Sequence, residues 1–191
     1  ILGAIFLGLL IILISEILEI PLAIYSTFVI EEKYGFNKTT KKTFVTDIVK
    51  NLLISSVISC LIYAVVIGII ENLGNNWWVY AFGAVFFIQL IIFFLYPVLI
   101  MPLFNKFETL DDEEYKKPVE KLLEKINFKA KGLFVMNASL RSSHGNAFFT
   151  GFGKNKRIVF YDTLLETITP DEMEAILGHE LGHYKLGHIR K

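Results

Sequence analysis

Apolar residues fill the first half of the chain in three long blocks. From Ile1 to Ile30 the interruptions are Ser15, Glu16, Glu19, a few hydroxyls and Pro21, which predicts a kink. Leu52 to Ile70 is nineteen residues without a charge, and Trp77 to Phe104 is broken only by Gln89, Pro97 and Pro102. A helix needs about 20 apolar residues to cross the hydrocarbon core of a bilayer. None of these blocks keeps the polar face of a helix buried in a soluble protein, so each predicts a transmembrane helix.

After Phe104 the pattern changes. Val119, Leu122, Leu123 and Ile126 follow the i, i+3, i+4, i+7 spacing of an amphipathic helix. Gly132–Met136 reads as a short strand. Asn146–Thr150 and Arg157–Tyr161 flank a Gly/Lys/Asn turn and read as a β-hairpin. A last helix is marked at its start by Thr169 as N-cap, Pro170 at the first helical position and Glu172 completing a capping box. Ile168 and Met173 stand at the hydrophobic-staple positions, and the helix should run to about His188. The fold class expected is a mainly α membrane protein: polytopic transmembrane helices over residues 1–104, with spans at about 1–30, 52–70 and 77–104. A small α+β segment over 105–191 follows them.

Composition agrees with a membrane class. Hydrophobic residues make up 53% of the chain and mean hydropathy is +0.51, against about 45–50% apolar in ordinary globular domains. Eleven charged residues precede Asn105 and the other 27 fall in the last 87 positions, which separates a lipid-facing half from a water-facing half. A net charge of zero gives no footprint for nucleic acid. Cys60, the single cysteine, excludes an intrachain disulfide and reads as a small apolar residue within its span. Because the sequence begins at Ile1 and not at a methionine, it is read as part of a longer protein.

Lysines set the orientation. Lys33, Lys38, Lys41, Lys42 and Lys50 lie in the Glu31–Asn51 loop, none lies in Glu71–Asn76, and Lys106, Lys116, Lys117, Lys121 and Lys125 follow the third span. By the positive-inside rule, the first loop and the C-terminal segment are cytosolic. Trp77, Trp78 and Tyr80 then form an interfacial belt at the far side. Two acids inside a span, Glu16 and Glu19, share one helix face. They read either as a functional pair or as residues at headgroup level.

The last helix carries the chemistry. His179, Glu180, Leu181, Gly182 and His183 spell H-E-x-x-H. Histidines four apart lie one turn apart on one helix face, so both imidazoles can converge on one zinc ion. Zinc lowers the pKa of its water towards about 7. Glu180, between the histidines, is placed to take that proton and pass it to the leaving amine of a cut peptide bond. Gly178 and Gly182 each precede a histidine, and each is expected to serve close packing or room at the metal. A catalytic zinc takes three protein ligands. His188 lies nine residues from His179, about half a turn round, and points away. The metzincin pattern also fails, because Lys185 and Ile189 stand where glycine and histidine are needed. The third ligand is therefore expected beyond Lys191, and the 191-residue chain alone is expected to bind zinc weakly and to be inactive.

Three segments carry a family resemblance: YSTFVIEEKYGFNKTT at Tyr25–Thr40, RSSHGNAFFTGFGKNKRIVFYDTLL at Arg141–Leu165 and LGHELGHYKLGH at Leu177–His188. The chain resembles the type 1 CAAX prenyl proteases, integral-membrane zinc metalloendopeptidases of eukaryotes and many bacteria. That likeness implies one catalytic zinc with a downstream glutamate as third ligand, and further spans around a water-filled chamber that Glu16 and Glu19 would line. It also implies a substrate-binding edge strand, where Asn146 holds the substrate backbone and His144 stands nearby. The substrate implied is a peptide or protein, prenylated or membrane-associated, cut to remove a C-terminal tripeptide. The setting implied is a multi-pass membrane protein with its catalytic side cytosolic, in the inner membrane of a bacterium or the endoplasmic reticulum of a eukaryote. Competing readings are a quality-control protease of membrane proteins, and a scaffold or transporter with a vestigial metal site.

Overall fold

The structure, a computed structural model, describes residues 2–128, 130–150 and 156–185, with the backbone alone at 180 and 183–185. The chain divides into two compact units, Ile1–Ile100 and Met101–Lys191.

Three helices make up the first unit. Helix α1 spans Leu2–Tyr25 and widens into a π-helical turn over Ser26–Glu31. Helix α2 spans Lys41–Asn72. After a 3₁₀ turn at Gly74–Asn76, α3 spans Trp77–Leu95 and widens over Tyr96–Ile100. All three runs are long and apolar enough to cross a membrane, and their apolar side chains are largely unburied within the chain. Packing pairs α1 with α2 and α2 with α3. The first pair meets closely at Gly8, where a Cβ would collide with the Tyr63 ring. Pro21 lies inside α1, which continues through it as helix. Pro97 lies inside the second widened turn, where π-type spacing accommodates a residue that lacks an N–H.

The expected Glu31–Asn51 loop is shorter than its polar sequence suggested. Helix α2 begins at Lys41, because Thr40 caps it: the Thr43 N–H donates to Thr40 Oγ1 at 3.1 Å. The charged Lys41, Lys42, Asp47 and Lys50 thus occupy the first turns of a helix, where lysine is well tolerated. What remains of the loop turns at Gly35, whose φ of +76° favours glycine. It is braced by Asn37, whose amide donates to Glu32 Oε2 and whose Oδ1 accepts the Thr39 N–H.

In the second unit, the short helix α4 (Met101–Phe104) leads into β1 (Phe107–Thr109), then α5 (Glu113–Lys125) and β2 (Gly132–Met136). After a 3₁₀ turn come β3 (Ala147–Thr150), β4 (Arg157–Tyr161), α6 (Asp162–Leu165) and α7 (Pro170–Lys185). The sheet order is β1-β2-β4-β3, with β2 and β4 parallel and both outer pairs antiparallel. The hairpin of β3 and β4 and the strand β2 stand where the sequence placed them. The hairpin's turn, 151–155, lies outside the described residues.

β4 is central and apolar on both faces, as a covered strand must be. Ile158 and Phe160 pack on one side with Val119 and Leu123 of α5 and with Met173, Leu177 and Leu181 of α7. Val159 packs on the other side with Met136 and Ala138. Helix α7 is therefore seated through 173, 177 and 181, a stripe of i+4 steps.

Candidate active site

The start of α7 is fixed by reciprocal bonds. Thr169 donates its N–H (2.7 Å) and its hydroxyl (2.9 Å) to Glu172 Oε2, and Thr169 Oγ1 accepts the Glu172 N–H at 3.4 Å. This is the capping box expected from the sequence. Of the staple residues, Met173 is buried in the core beneath it and Ile168 packs against that core. The Thr169 backbone N–H, and then its hydroxyl, hold the Glu172 carboxyl below the usual carboxylate range. The folded carboxyl thus titrates below the unfolded one, so the cap contributes its stability above the unfolded value. That contribution is lost as pH falls through the folded value. Thr169→Ala is expected to lower unfolding stability by about 1 kcal/mol at neutral pH. Glu172→Gln, which removes the titrating carboxyl, should flatten the acid limb of a melting-temperature-against-pH curve measured on detergent-solubilised protein.

From that start the helix runs unbroken through 179–185. His179 is exposed. It stands two residues past Leu177, about 200° round the helix, and position 183 is related to Leu181 in the same way. Positions 179 and 183 therefore share the face opposite the buried stripe, together with Ile176, which is 40% exposed. The helix turns its metal-motif face away from the unit's own core. His188 and Lys191 lie outside the described residues.

The two glycines are not demanded by packing among the described residues. A Cβ on Gly178 would meet only Leu122 at an ordinary 3.9 Å, and one on Gly182 would meet nothing within 4 Å. Among the described residues neither glycine is closely packed, which leaves room at the metal as the expectation that remains. As a test of metal fit, two imidazole positions one turn apart suit two ligands of a tetrahedral zinc. No group of three or more His, Cys, Asp or Glu able to hold a metal occurs among the described residues.

His144 and Asn146 lie on the exposed loop entering β3. The His144 N–H donates to Ser142 Oγ, and its carbonyl accepts the Thr163 hydroxyl at 2.8 Å. At Gly145 a Cβ would come within 3.3 Å of the Leu164 Cα, so the loop touches α6 at a position that suits glycine. The Asn146 carbonyl accepts the Tyr161 N–H at 2.9 Å, which starts the β3–β4 ladder. By the alternation of antiparallel pairs, the N–H and C=O of Ala147 and Phe149 then point to the outer side of β3. No strand lies beyond β3 among the described residues. Asn146 Oδ1 accepts the Ala147 N–H at 2.8 Å, so its carboxamide already stands on this open edge. Sequence reasoning missed the bonds that hold the loop: Arg141 to Asn105 and Phe104, and Asp162 to Ser139. Only the run of polar residues before β3 hinted at them.

Apolar helices in one unit, and an H-E-x-x-H helix laid on a four-stranded sheet in the other, define a membrane protein carrying a peptidase-type fold. Residues 1–106 match the family model described as CAAX prenyl protease N-terminal, five membrane helices, and residues 109–191 match that of peptidase family M48. The chain is 47% identical to the probable CAAX prenyl protease 1 of Schizosaccharomyces pombe, over 92% of this chain and 37% of that one. It is 42% identical to CAAX prenyl protease 1 of Saccharomyces cerevisiae, over 96% and 41%. The crystal structure of S. mikatae Ste24p superposes with a TM-score of 0.87 at 42% identity, covering 96% of this chain and 44% of that one. The chain belongs to the CAAX prenyl protease family of M48 peptidases, as its three motifs indicated. It is an integral-membrane chain of a family that is zinc-dependent in general. It spans about two fifths of the length of the curated relatives it matches.

Proposed function

We propose that the protein carrying this chain is a zinc metalloendopeptidase that removes the C-terminal tripeptide of prenylated proteins. The observation that carries this reading is the unbroken helix α7, on which positions 179 and 183 share the face opposite the buried stripe and position 180 falls between them in sequence. His179 and His183 would hold zinc through their imidazoles, with a glutamate from outside these residues as the third ligand. Bound zinc supplies Lewis acidity to the scissile carbonyl and acidifies the attacking water. Glu180 takes the proton of that water and returns it to the leaving amine nitrogen as the C–N bond breaks, so it ends the cycle as it began. The β3 edge would take the substrate as an added strand on Ala147 and Phe149, with Asn146 holding its backbone and His144 beside it. The substrate class is supported by the names of the relatives, CAAX prenyl proteases from two yeasts. Incubating the full-length protein with a farnesylated CAAX peptide tests the reading: release of the terminal tripeptide is expected, and an untouched peptide would refute it.

The lysine distribution supports a cytosolic catalytic side, and relatives of eukaryotic origin support the endoplasmic reticulum as the membrane. A cysteine introduced at Lys116 should label in sealed, cytosol-side-out vesicles, whereas one at Asn75 should label only after permeabilisation. Equal labelling of both from one side would contradict this topology.

A further inference from the structure

Arg141 opens the segment that carries His144 and Asn146, yet the proposed chemistry gives it no task. Its guanidinium is half-buried and forks across two successive residues: Nη1 donates to Asn105 Oδ1 at 2.9 Å, and Nη2 donates to the Phe104 carbonyl at 2.8 Å. Phe104 ends α4, so the guanidinium meets the last carbonyl of that helix. A second strut stands beside the first. The Lys106 N–H donates to Asn137 Oδ1 at 2.7 Å, and the Asn137 N–H donates back to the Lys106 carbonyl at 3.3 Å. Residues 104–106 and 137–141 are thus bound together at four points.

The other side of the loop is held by α6. Asp162 accepts both the backbone N–H and the hydroxyl of Ser139, the Thr163 hydroxyl holds the His144 carbonyl, and Gly145 lies against Leu164. Between these two anchors, His144, Gly145 and Asn146 are exposed and lead directly into the open edge of β3. A loop fixed on one side only can pivot; fixed on both, it delivers the Asn146 carboxamide and the Ala147 groups at one place.

We propose that Arg141 is the positioning residue of this edge. By clamping the loop to Phe104 and Asn105, it sets where Asn146 stands and so fixes the register in which a substrate strand lies on β3. The inference rests on the peptidase reading above. Arg141 acts through the loop and touches neither zinc nor the reacting bond, so its loss should weaken substrate binding and leave the chemical step nearly intact. A lysine presents one compact ammonium and cannot reproduce the planar fork.

The test is steady-state cleavage of a farnesylated CAAX peptide by the full-length protein and its variants, with zinc content measured on each. Arg141→Ala should raise KM roughly tenfold or more, with kcat within about threefold of wild type and zinc unchanged. Arg141→Lys should resemble Arg141→Ala. Asn105→Ala should raise KM less, and the double variant should be no worse than Arg141→Ala, because both remove one linkage. A wild-type KM in Arg141→Ala or Arg141→Lys, or strictly additive effects in the double variant, would overturn the proposal. If Arg141→Ala does not fold, Arg141→Lys and Asn105→Ala decide by the same KM criterion. Glu180→Gln run in parallel separates the two readings. A fully active Glu180→Gln protein, or an inactive wild type, removes the peptidase reading and this proposal with it. An unchanged KM in the Arg141 variants removes the positioning role alone.

Discussion

Glu180→Gln in the full-length protein is expected to retain zinc and to lose peptide cleavage by about 10²–10⁴-fold or more. The substitution keeps the side chain's size and leaves both histidines in place, so metal affinity should hardly change. What it removes is the only proton acceptor that the motif sets between the two imidazole positions on α7. A glutamine cannot take a proton from water at neutral pH, nor give one to a leaving amine. Elemental analysis and cleavage of a farnesylated peptide, run on the same preparation, check both halves. Near-wild-type turnover would contradict the assigned role, whatever the zinc content.

His183→Ala should act one step earlier, at the metal. Losing an outer-shell partner of a metal ligand costs about 10–100-fold in affinity or activity, so losing a ligand itself should cost at least about 100-fold. The variant should purify with little zinc and no activity. His188→Ala provides the control. Its nine-residue spacing from His179 predicts a position about half a turn round a continuing helix, so its loss should leave zinc content unchanged. Equal zinc loss in both variants would mean that spacing along α7 does not define the ligand set.

How far the sequence reached depended on how local each signal was. The three apolar runs were legible because length and composition suffice. The fold class followed from them together with the amphipathic stripe at Val119 and Leu123 and the strand β4, whose three central residues are all buried. Strand β1 was not legible: it has three residues, Phe107–Thr109, with a glutamate in the middle, and only its pairing with Met136–Phe134 makes it a strand. Helix α6 is four residues long and carries no periodicity. The start of α2 was missed because hydrophobicity marks an apolar span and not a helix. Its polar first turns belong to the helix through the Thr40 cap.

The candidate site divides along the same line. The H-E-x-x-H spacing lies within one turn and a half of α7, and the capping box that starts the helix spans four residues, so both could be read directly. The packing role expected of Gly178 and Gly182 depended on neighbours distant in sequence, and the structure places none close to them among the described residues. Arg141 is the sharper case. Its partners lie 36 and 37 residues away, across α5 and β2, and no local pattern announces such a bond.

Under the proposed function, the full-length protein hydrolyses the C-terminal peptide of a prenylated substrate with zinc. Mass spectrometry of a farnesylated CAAX peptide, incubated with the purified full-length protein, tests it most directly. A free tripeptide and a shortened farnesylated product are expected, both lost on chelation and restored by stoichiometric zinc. An intact peptide with zinc-loaded protein, or cleavage indifferent to chelation, would contradict it.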